Sequence, residues 1–160
     1  MSDQIKDALR KAGFKESDNP KLPSKKENLN MIAFYSEKKV LDEELITTRA
    51  QQWADEFVPD TRNLKSKQNL SSAQIRRFYG EVLSIEEKMK TTQFEVVRPQ
   101  IKMLKSKAAY AANPNNRKIP DSFKNFIFTM VDSVDKAEDF KAFKTIFEAV
   151  IGYFYGKGVK

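Results

Sequence analysis

Cysteine and histidine are both absent from the sequence. Without cysteine there are no disulfides and no thiolate metal sites. Without histidine the commonest general base and the commonest metal ligand are gone, and with them every Ser–His or Cys–His arrangement. Glycine is scarce, 5 residues in 160, and no alternating strand pattern occurs. No apolar run approaches the roughly 20 residues of a membrane span. The N-terminal MSDQIKDALRKAGF lacks the apolar centre of a signal peptide. A soluble, cytoplasmic chain is the expectation. Paired acids such as Glu86–Glu87 and Glu138–Asp139 diverge by about 100° on a helix, so neither pair converges on one substrate atom. The GKG at 156–158 lacks the upstream glycine and the strand–loop–helix setting of a phosphate loop. No nucleophile–base pair and no metal-ligand cluster is found, so no enzyme activity, cofactor or metal is expected.

What the chain does have is charge, unevenly placed. Net charge is +7 overall. Residues 1–60 carry 10 Lys/Arg against 12 Asp/Glu, and residues 119–160 carry 6 against 6. Residues 61–118 carry 13 against 4, a net +9. A basic surface confined to one segment points to a polyanionic partner and a salt-sensitive encounter. The plainer alternative is a solvated basic face, and the balanced flanks weigh against it.

Apolar residues recur at helical spacing throughout. Ile5, Ala8, Leu9 and Ala12 mark a short amphipathic helix over 3–12, ended by Gly13. The polar stretch 16–30 contains two prolines and reads as a linker. Residues 31–40 fit either a short helix or a docked arm. A helical segment then starts near Asp42 and ends at Pro59, with three acids in its first turn, where the helix dipole favours them. After the basic loop TRNLKSKQN, Ser71 and Gln74 form a capping box, and Leu70 with Ile75 a hydrophobic staple. Ile75, Phe78, Val82, Ile85 and Met89 carry that helix to about Lys90. A further helix covers 92–112, with Pro99 tolerable only near its start or at a kink. Asp121 or Ser122 is expected to cap the next one, and the last runs from about Lys136 to Gly156. The expected fold is all-α: a compact bundle of about five helices over 41–160, behind an N-terminal extension over 1–40.

Arg98, Lys102 and Lys105 fall on one stripe of the 92–112 helix, bordering its Ile101/Leu104/Ala108 core stripe. Arg76 and Arg77 flank Ile75 and Phe78. Cations in rows beside a packed face suit a phosphate backbone, because each contact releases counterions. Arginine can grip a phosphate through two parallel bonds. The alternative is that these long side chains only cover the core edge with their methylenes. One of Arg76 and Arg77 is also placed to pair with Glu81 or another helix. The phenylalanines follow the core period and read as packing. Tyr79 and Tyr110 carry polar tips beside basic residues, and packing is preferred over a stacking role for Tyr110 as well.

"LSSAQIRRFYGEV", then "RPQIKMLKSKAAYAA" and an aromatic C-terminal helix, resembles the small subunit of type III-A CRISPR–Cas (Csm) effector complexes. The likeness covers about residues 40–155. It departs from the family pattern at Ser106, where a proline is expected, and at Asn113–Pro114, where an arginine is common. The resemblance implies a non-catalytic helical protein in antiviral defence, stacked in several copies beside the guide-holding backbone subunits. Its basic face would lie along the guide–target RNA duplex without reading sequence. By position, the implied RNA contacts are Arg76, Arg77, Arg98, Lys102, Lys105 and Lys107. Implied partners are the guide RNA and target RNA, the backbone and large subunits, and further copies of the chain itself. The competing reading is a protein–protein scaffold whose basic face meets an acidic partner.

Overall fold

Asp42 starts the helical body: its carboxylate accepts the Glu44 N–H at 3.0 Å and so caps a single-turn helix, α1, Glu43–Ile46. At Thr47 the backbone leaves the helical region, with φ −120° and ψ −97°. The Thr47 hydroxyl donates to the Glu43 carbonyl at 2.8 Å and competes for the acceptor that a continuous helix would use. The helix expected to run unbroken from Asp42 is therefore split, and α2 spans Thr48–Phe57. The computed structural model describes Lys11 and residues 31–160. Apart from Lys11, the helix expected over 3–12 and the linker over 16–30 lie outside the described residues.

Four longer helices follow: α3 Ser72–Met89, α4 Phe94–Ala111, α5 Asp121–Ser133 and α6 Ala137–Gly156. Among the described residues there is no strand, only one isolated bridge between Tyr35 and Leu41. The all-α bundle of five principal helices is thus as expected. Ser71 accepts the Gln74 N–H at 3.3 Å at the head of α3, and Leu70 and Ile75 are both fully buried beside it. Pro99 is the sixth residue of α4, near its start, where only one ladder bond is lost. The cap of α5 differs from expectation. Pro120 occupies the N-cap position and no side chain caps the helix. Ser122 instead donates to the Glu56 carbonyl at 3.0 Å, tying the start of α5 to the end of α2. At the head of α6, Asp139 accepts the N–H groups of Asp135 and Lys136 at 2.9 and 3.1 Å.

Helix α6 packs chiefly on α2, α4 on α5, and α3 lies against both α4 and α6. The shared core is aromatic. Phe126 contacts Trp53, Phe57, Phe123, Phe143 and Phe147, with ring centroids 5.1–6.4 Å apart. Most of these pairs are edge-on or tilted, the arrangement that the ring quadrupole prefers. Residues 31–42 form a docked arm. Phe34 enters the core at 3% exposure, and the Ile32 N–H donates to Ser133 Oγ at 2.9 Å. The Asp42 N–H closes the arm on the Phe34 carbonyl at 2.9 Å.

Candidate nucleic-acid interface

Helices α3 and α4 run antiparallel, and their facing charges set the register. Near the connecting turn, Lys88 Nζ donates to Gln100 Oε1 at 2.9 Å. Midway, Lys107 Nζ meets Glu81 Oε2 at 2.7 Å. Towards the far end lies a groove of about 350 Å³ lined by Gln74, Arg77, Phe78, Ser106, Tyr110 and Lys118, among others. Phe78 and Ala111 are buried against it, so the groove has an apolar floor. Arg77, Lys107 and Lys118 ring it with positive charge, and Glu81, already paired, is its one acid.

Tyr110 stands at the rim, 71% exposed. The packing role expected for it does not hold: on α4 it falls about 170° from the stripe centred on Ile101 and Ala108. Lys118 Nζ lies 5.9 Å from its ring centroid. An exposed aromatic face among cations is the arrangement that stacks unpaired bases. Lys118 sits in the connection after α4, and only folding brings it to Arg77. In the sequence it is one more charge in a polar loop.

The six cations singled out from the sequence do not form one row. Arg76 and Arg77 diverge, both exposed. Arg76 Nε donates to the Ser72 carbonyl at 3.2 Å, back along its own helix, while Arg77 lines the groove. Arg98, Lys102 and Lys105 share the side of α4 that borders α5. Arg98 lies 3.6 Å from Asp135, and Lys105 lies 2.7 Å from Asp132 with its ammonium 4.9 Å from the Phe128 ring. Lys102, between them, is exposed and has no carboxylate partner among the described residues. Lys107 belongs to the groove.

On its other flank α3 is tied to α6. Tyr79 donates to Glu148 at 2.5 Å and packs edge-on against Phe147. Burial, then that hydrogen bond, push the phenol well above its ordinary range. Lys144 bridges Glu86 at 3.0 Å and Glu148 at 3.5 Å, and its hydrogen bond to Glu86 raises its own affinity for the proton. Among the described residues no group of three or more acids could hold a metal ion, and no helix is long and apolar enough to cross a membrane.

A small all-α bundle with a groove between two helices ringed by Arg77, Lys107 and Lys118 is the class that fold and site define. Residues 40–157 match the family described as Csm2 Type III-A. The chain belongs to that family, the small subunit of the type III-A CRISPR–Cas effector complex. Comparison with curated proteins and with solved structures gives no match.

Proposed function

We propose that the chain is a non-catalytic RNA-contacting subunit of the cytoplasmic type III-A effector complex. The groove between the ends of α3 and α4 carries the reading: Arg77, Lys107 and Lys118 surround an exposed Tyr110 over an apolar floor. The guide supplies base-pair specificity, so the subunit needs only phosphate contacts, insensitive to sequence and sensitive to salt. The partners are the guide RNA and target RNA, the backbone and large subunits, and further copies of the chain. Arg76, Arg77, Arg98, Lys102, Lys105 and Lys107 form the proposed contact set, with divided roles. Arg77, Lys102 and Lys107 reach RNA directly. Arg98 and Lys105 hold α4 to α5 and offer their remaining donors outward, and Arg76, with Nε on the Ser72 carbonyl, offers its terminal nitrogens. Several copies, each adding a small term, make single substitutions mild.

The internal ion pairs favour a second reading. Arg98, Lys105 and Lys107 already hold the chain's own carboxylates, which leaves less free charge for phosphate and suits a protein–protein scaffold. Filter binding of single-stranded RNA at 50 and 200 mM salt separates the two. The RNA reading expects affinity that falls with salt and is lost in Arg77→Glu/Lys102→Glu. Unchanged binding in that variant, with loss of co-purifying effector subunits, would establish the scaffold instead.

A further inference from the structure

The connection between α2 and α3 holds three cations on a built framework. The Leu70 N–H closes its base on the Phe57 carbonyl at 2.8 Å. Asn69, 7% exposed, is its post. The Asn69 amide nitrogen donates to the carbonyls of Asp60 and Asn63 at 2.8 and 3.2 Å, and its oxygen accepts the Asp60 N–H at 2.9 Å. Asp60 Oδ1 in turn accepts the N–H groups of Arg62 and Asn63, and Asn63 Oδ1 that of Lys65. The loop's single acid is thereby directed at its own backbone. Arg62, Lys65 and Lys67 are exposed and have no carboxylate partner among the described residues.

This loop lies at the groove's end of the bundle. Leu64 reaches to within 3.6 Å of the site of a Cβ on Gly158, and Ser72 Oγ donates to the Lys160 carbonyl at 2.6 Å. The C-terminus of α6 and the N-terminus of α3 thus meet beside the loop, and the first two turns of α3 lead from it to Arg77. We infer that the Asp60–Asn69 loop is a second phosphate-binding surface, which grips the RNA backbone where it leaves the α3–α4 groove. The inference rests on the RNA reading of that groove. Side-chain and backbone bonds fix the loop before contact, so less ordering entropy opposes binding there. An acidic protein would meet the same charges, but a basic loop at the head of the helix that carries Arg77 into an aromatic-rimmed groove fits a nucleic-acid strand better.

The test uses the full chain and a single-stranded RNA long enough to pass both surfaces. Arg62→Gln/Lys65→Gln/Lys67→Gln alters only exposed side chains. Each phosphate contact contributes about 0.7 to the slope of log affinity against log salt, so the triple variant is expected to lower that slope by about 2. Its melting temperature should stay at the wild-type value, and Arg77→Glu should lower the affinity independently. A triple variant with wild-type slope and affinity, alongside a weakened Arg77→Glu, would overturn the loop assignment and leave the groove reading intact. Failure of wild-type chain to bind RNA overturns both. Wild-type RNA affinity in the triple variant with loss of co-purifying effector subunits would make the loop a protein contact and sink the proposal.

Discussion

Lys105 Nζ sits 2.7 Å from Asp132 Oδ1 across the seam between α4 and α5. Both side chains are about one-third exposed or less, and the ammonium also faces the Phe128 ring. A half-sheltered pair of this kind is stronger than an exposed one and holds the two helices in register. Lys105→Ala is therefore expected to lower stability by about 1 kcal/mol, or about 2–4 °C in melting temperature for a domain of this size. Lys102→Ala, three residues away and exposed, should leave the melt unchanged and weaken RNA binding. Thermal unfolding of the two variants, read beside filter binding, distinguishes an anchoring cation from a contacting one. Equal melts for both would remove the anchoring role.

Burial and its hydrogen bond to Glu148 raise the Tyr79 phenol above its free value of about 10. The folded state thus holds this proton more tightly than the unfolded state. The resulting stability is complete below about pH 10 and is lost as pH climbs towards the folded value. Urea unfolding between pH 8 and 11 should show a falling alkaline limb in the wild type. In Tyr79→Phe that limb is flatter, and stability at pH 7 is lower by about 1 kcal/mol. Parallel curves would assign the alkaline loss to other groups.

Phe126 touches five other aromatic rings from α2, α5 and α6. Its truncation to alanine should cost about 3–5 kcal/mol through lost contacts and an unfilled cavity. Against a total of about 5–15 kcal/mol, that leaves a marginal fold. Phe126→Leu keeps most of the volume and should cost visibly less. Chemical denaturation of both variants provides the comparison. A loss below 1 kcal/mol in the alanine variant would show that α5 is not the centre of the core.

Much of this core was legible because it is periodic. Ile75, Phe78, Val82 and Ile85 announce the buried face of α3, and Ser71 with Leu70 announces its start. Side-chain partnerships between distant helices were not. Nothing near Lys105 or Arg98 in the chain reveals Asp132 or Asp135, which α5 and its end bring across only on folding. The cap expected at Asp121 or Ser122 failed for the same reason, since Ser122 serves the Glu56 carbonyl of α2. Tyr110 shows the opposite case. It was read as packing alongside the phenylalanines that follow the core period, whereas its helical angle, computable from the sequence, places it outward.

That outward ring supports the most direct test of the groove. Tyr110 is 71% exposed and makes no core contact, so removing it should leave the fold untouched. Stacking of one base on an aromatic side chain contributes about 1–3 kcal/mol. Tyr110→Ala is therefore expected to weaken single-stranded RNA binding by about 5- to 150-fold at constant salt, with no change in melting temperature. Tyr110→Trp, which restores a π-face, should recover most of the loss, whereas Tyr110→Leu, equally apolar but without a ring, should not. The salt slope should stay at its wild-type value in all three, because no phosphate contact is removed. Arg77→Gln should behave the other way, reducing the slope by about 0.7 while leaving a stacked base in place. Recovery by leucine as full as that by tryptophan would mean that Tyr110 offers apolar area rather than a stacking face, and the groove would then suit a protein side chain better than a base.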